Sequence, residues 1–259
     1  THLLTGADDY TMSLGPSTGV LAFAGRWFVL LAPVLSGLLV GPLMSWLGRT
    51  PTGHGVGGVI WSARRSDGAM APVPATASMI ASALTIGGGG SVGPEGPIAE
   101  VGASAATVFG RRLGLPTRSV RMLAAAGTAA GIAAAFNTPL AGAFFAMEVI
   151  LLDFTMDAFA FVVLASVSST VLSHHLLGTT LSVQLPTLNL DGDAALGWVA
   201  VLGLLGGIVG VAFSRLRFLA TDAAQSLRGA LHLPAWALPG AGGLIIGGIL
   251  LADPEMYGE

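Results

Sequence analysis

The sequence predicts an all-α, polytopic membrane fold of tilted and broken helices, and three observations carry that reading. Of 259 residues, 53% are hydrophobic and 10% charged, with a mean hydropathy of +0.78, whereas soluble domains are about 25% charged. Apolar runs recur along the chain, yet several fall short of the roughly 20 residues that cross a bilayer core or are cut by Gly and Pro. Broken helices at membrane depth are tolerated only beside protein or a watery cavity, so they point to a transport path rather than a simple anchor. The third observation is the 38 glycines, most of which serve close helix packing.

Taken in order, apolar stretches fall at about 17 to 47, 73 to 92, 97 to 110, 121 to 136, 139 to 152, 156 to 177, 195 to 218 and 237 to 252. Between them GRTPTGHG (48 to 55), ARRSDG (63 to 68) and GRRLGLPTRSVR (110 to 121) carry arginine, while LGTTLSVQLPTLNLDGDA (177 to 194) carries none. Excess arginine in short loops marks the cytoplasmic side, which puts 177 to 194 outside; Arg26, inside an apolar stretch, weakens the pattern locally. His174 and His175 mark the interfacial end of the helix from 156. An internal repeat is visible: PVLSGLLVG from Pro33 and PGAGGLIIG from Pro239 share one pattern. Residues 1–190 are therefore expected to be most of a first repeat lacking its first helices, and 191–259 the start of a second, inverted one. The chain begins at Thr1 with no signal-peptide pattern, as expected of a piece of a longer protein.

The residues with chemistry are few. Glu95 and Glu100 interrupt the small-residue run GGGGSVGPEGPIAEVGASAA (87 to 106). A buried carboxylate must be paired, neutralised or in contact with a watery path. Gly breaks the preceding helix, and Pro97 suits the first turn of a new one. The new helix directs its free amides toward Glu95, and its positive end is an anion site. A carboxylate and a small anion then compete for one place, and protonation of Glu95 releases it. A second candidate helix start lies at TPTGHGVGGV (50 to 59), where Gly53, Gly55, Gly57 and Gly58 flank His54 and let amides approach a ligand.

Several function classes fall away. All eleven basic residues are arginines, so a Walker loop, which needs lysine, is absent. Without a basic patch, nucleic acid is not an expected partner. With no cysteine, thiolate zinc sites and thiol nucleophiles are excluded. A membrane-embedded enzyme using His54, His174, His175, Glu95 and Glu100 is a distant alternative. Its groups diverge: adjacent histidines point about 100° apart on a helix, and Glu95 and Glu100 about 140° apart. No cofactor is expected.

GGGGSVGPEGPIAEVGA resembles the G-[RK]-E-G-P segment of the CLC chloride channels and chloride/proton antiporters, with Gly93, Glu95, Gly96 and Pro97 matching and Pro94 in place of the basic residue. GIAAAFNTPLAGAFFAMEV (131 to 149) is similar to that family's long Asn-Pro stretch, and GHGVG (53 to 57) to its anion-coordinating loop, with Gly57 replacing a proline. The resemblance implies a homodimer in the cell membrane with one chloride path per subunit and two inverted halves. It assigns Glu95 as the gate and the neighbourhood of Gly93, Pro94, Gly96, Pro97 and Ile98 as an amide cradle. Gly53, His54, Gly55 and Val56 become the inner anion loop, His54 standing where a serine often helps bind chloride. Val149 stands where antiporters commonly carry an internal proton-transfer glutamate, which favours passive conduction; Glu148 matches both kinds. Chloride is the implied transported ligand, nitrate and fluoride being alternatives. The resemblance also puts further chloride ligands beyond Glu259, so the chain alone is not expected to conduct.

Overall fold

The computed structural model describes residues 27–51, 53–65, 68–152, 154–178 and 193–252, and every regular element among them is helical. Arg26, the segment 179–192 with the expected repeat boundary, and most of the outer loop lie outside the described residues. The helices are α1 (Trp27–Trp46), α2 (Gly55–Arg65), α3 (Pro72–Gly87), α4 (Glu95–Arg112), α5 (Thr117–Phe136), α6 (Pro139–Phe145), α7 (Met156–Leu177), α8 (Asp193–Leu231) and α9 (Leu238–Ala252). A π-helical turn, Ala146–Leu151, continues α6, and a 3-10 turn, Ala235–Ala237, leads into α9. Among the described residues, five helical spans are long and apolar enough to cross a membrane: Trp27–Trp46, Thr117–Phe136, Met156–Leu176, Gly197–Ala230 and Ala235–Ala252.

The broken helices fall where Gly and Pro put them. α2 has 11 residues and is about 16 Å long, roughly half the thickness of a bilayer core. α3 opens on Pro72, where a missing N–H loses nothing. α5 ends at Asn137 in the left-handed region (φ 56°), a conformation asparagine tolerates at a helix end. At the other extreme α8 runs for 39 residues, about 58 Å. Its apolar span buries nothing within the described fold.

Small residues decide how the helices meet. Lipid is as apolar as leucine, so helices in a membrane associate by close packing and interhelical hydrogen bonds. α4 and α5 approach until Gly102 lies on the Gly127 carbonyl and Gly127 on the Gly102 carbonyl, leaving no room for a Cβ on either. Around that crossing Ala99, Ala103, Ala125, Ala129 and Thr128 are buried. Hydroxyls tie neighbours together: Ser36 donates to the Leu84 carbonyl (2.7 Å), joining α1 to α3, and Ser169 to the Ala130 carbonyl (2.8 Å), joining α7 to α5.

The two copies of the repeated pattern pack against each other. Gly37, fifth in the first copy, abuts the carbonyl of Pro239, which opens the second. Gly243, fifth in the second copy, abuts the carbonyl of Pro33, which opens the first. Contacts that exchange in this way are what a two-fold relation between two segments produces.

Candidate functional site

The glycine-rich break 88–94 delivers the chain to the first residue of α4, which is Glu95 itself, with Pro94 as its N-cap. The other break, 47–54, delivers it to Gly55 at the start of α2, in the left-handed region at φ +69°. Here the two helix starts meet. A Cβ placed on Gly96 would lie 3.3 Å from the Gly55 Cα and 3.9 Å from the Val56 nitrogen. Two positive helix ends therefore face one spot. Val56 and Gly57 stand in the first turn of α2, whose amides have no acceptor inside the helix.

The cradle around Glu95 is narrower than its five neighbours suggest. Pro94 and Pro97 have no N–H, and the Ile98 amide donates to the Pro94 carbonyl (3.0 Å). The amides left without an acceptor inside the helix at this end are those of Glu95 and Gly96. Gly93 contributes space, because its α-hydrogen face lies against the Glu95 carboxylate and a Cβ there would push that carboxylate aside. Glu95 is exposed.

Glu100, one turn further, is 2% exposed. Its Oε2 accepts from the Gly55 amide (3.0 Å), so it caps α2 from another helix. Its Oε1 lies 3.2 Å from Nδ1 of His54, and Nε2 of His54 meets the Gly48 carbonyl. His54 is thus no ordinary loop histidine: both ring nitrogens are engaged, one of them on a buried carboxylate. The sequence reading rightly separates Glu95 from Glu100 but does not pair Glu100 with His54, 46 residues away. The signal available was that a carboxylate in so apolar a run needs a partner, and His54 is the ionisable side chain of the other glycine-rich turn.

The remaining candidates lie apart. Val149 sits in the π-turn, packed against the alanine-rich core, and Glu148 beside it is exposed. His174 bonds to the Asn137 side chain at the end of α5, and His175 is exposed. Among the described residues no three His, Asp or Glu side chains come together as a metal site.

Residues 36–259 match the family model described as voltage gated chloride channel. This chain belongs to that family. It is 34% identical over 244 residues to chloride channel protein CLC-f of Arabidopsis thaliana, covering 89% of this chain and 30% of that protein. It is 31% identical over 237 residues to the voltage-gated ClC-type chloride channel ClcB of Escherichia coli O81 (strain ED1a), covering 90% and 55%. The crystal structure of a slow cyanobacterial Cl−/H+ antiporter superposes with a TM-score of 0.71 at 24% identity, over 95% of this chain and 57% of that one. The helix breaks described above thus belong to the CLC fold. The chain spans between about a third and just over half of these relatives' lengths. With family and hydropathy in agreement, it is an integral membrane protein of the CLC type.

Proposed function

We propose that the protein carrying this segment moves chloride passively across the cell membrane and is gated by Glu95. The observation that carries the reading is the meeting of two helix N-termini at Gly55 and Gly96, with a carboxylate on the first residue of one of them. Helix starts concentrate unpaired amides and about half a positive charge each, and so stabilise an anion without any cation. When ionised, Glu95 fills that place; when protonated, it yields to chloride or another small anion. Since both nitrogens of His54 are engaged and the Gly55 amide is held by Glu100, the anion at the inner turn is bound by the backbone at Val56 and Gly57 and not by imidazole.

Passive conduction is favoured by Val149, an apolar side chain packed among apolar neighbours where an antiporter of the family commonly carries a carboxylate. The second reading is chloride/proton exchange, and its support is the similar solved structure, described as a Cl−/H+ antiporter. A homodimer is part of the proposal. α7 supplies its surface, with Phe161, Leu164 and Leu172 exposed along it.

Flux in liposomes holding the full-length protein decides between the readings. Passive conduction gives chloride flux that drives no uphill proton movement. A chloride gradient that pumps protons establishes exchange instead, and no chloride flux at all removes both.

A further inference from the structure

We infer that His54 and Glu100 form a proton-binding pair whose charge sets the anion affinity at the start of α2; the inference rests on the anion reading above. Hydrogen-bond arithmetic leads to it. A backbone carbonyl only accepts, so the Nε2 of His54 that meets Gly48 carries a hydrogen. A neutral imidazole would then present its Nδ1 lone pair to the lone pairs of the Glu100 carboxylate at 3.2 Å. The contact needs one further proton, either on Nδ1, giving an imidazolium–carboxylate pair, or on Oε1, giving a neutral pair. In both forms the two residues together hold one proton more than imidazole plus carboxylate. The other carboxylate oxygen is bonded to the first amide of α2, so the pair's charge is felt where the anion binds.

The proton has a route. A cavity of about 210 Å³ is lined by Glu100, Ser62, Thr50 and the turn through Ala69, Met70 and Ala71. Ser62 is 1% exposed, and its hydroxyl has no hydrogen-bond partner among the described residues. A chamber of that size, with Thr50, Ser62 and Glu100 as its polar side chains, has room for water that would satisfy it. The chamber lies between the two connections next to Arg49 and Arg64, on the arginine-bearing side.

Among the described residues, no other ionisable group competes for the pair. α1 and α3 carry none. Arg49, Arg64, Glu95 and Glu148 are exposed, and Arg118 and Arg121 stand at the N-terminal end of α5. Among the described residues, none forms a salt bridge with either partner.

Losing the shared proton to the chamber leaves one net negative charge at the α2 start, opposing a permeant anion; acidification returns the proton and removes the opposition. The test uses full-length protein in liposomes in the Glu95→Gln background, reading the half-saturating chloride concentration between about pH 5 and pH 8, the interval in which imidazole ordinarily titrates. The expected result is a rise of at least about tenfold toward high pH, the effect of one unit charge about 12 Å away at a dielectric of about 20, and more at closer range. Adding Glu100→Gln flattens it, because the amide can donate to neutral His54 and still accept from Gly55. If that variant does not fold, His54→Gln is read instead, and the rise changes, because the amide takes up no proton. A rise unchanged in these variants, or absent with the pair intact, overturns the inference. If Glu95→Gln protein carries no anion, or its maximal flux still closes with pH, the gating reading has failed instead.

Discussion

Glu95 and Glu100 share a helix, a charge type and a run of small apolar neighbours, yet one is exposed and the other almost wholly buried. The difference lies in what faces them. Glu95 is the first residue of α4, and its carboxylate turns back over Gly93, into the space a side chain there would contest. Glu100 lies about 140° further round the helix, against the α2 start, where a histidine and an amide answer both its oxygens. A carboxylate with fixed partners holds structure together; one whose only fixed neighbour is a bare backbone is able to leave. The pairing of a fixed and a movable acid at one crossing suits a gate with a rigid frame.

The strongest way to break the contrast is to remove the fixed acid. Glu100→Ala leaves the Gly55 amide without its acceptor and His54 without its carboxylate, and should destabilise the protein by about 1–3 kcal/mol, read as a lower unfolding midpoint in detergent. Gly55→Ala comes next: a Cβ at φ +69° costs about 1–2 kcal/mol, and chloride affinity should fall as the first amides of α2 turn away. Glu100→Gln keeps the shape and both hydrogen bonds, so its stability loss should stay within about 1.5 kcal/mol, the worth of an ordinary net hydrogen bond. Glu95→Gln should change stability by no more than about 0.5 kcal/mol, as for surface positions. In flux it should have the clearest effect of all. Wild-type flux should rise as pH falls, because protonation empties the carboxylate from the anion's place, and the Gln variant should conduct without closing at high pH. Retained pH-dependent closing in that variant would reverse the roles assigned to the two acids.

Much of this was legible in the chain. Gly and Pro are local instructions, so the breaks before α2 and α4, the Pro72 start of α3 and the end of α5 at Asn137 could be read from neighbours in sequence. The match between PVLSGLLVG and PGAGGLIIG was visible too, but not that Gly37 and Gly243 each rest on the other copy's opening proline carbonyl. The amide cradle was legible only in part: prolines 94 and 97 announce their missing N–H, whereas the Ile98 amide is engaged only once the first turn of α4 has formed.

By itself the sequence determined the solvent, the helical class, the places where helices break and the family, because hydropathy, Gly and Pro act on the residues beside them. Only the tertiary structure decided which broken ends meet and which acid is held, because a hydrogen bond such as that between His54 and Glu100 depends on a distance across space that 46 intervening residues leave open.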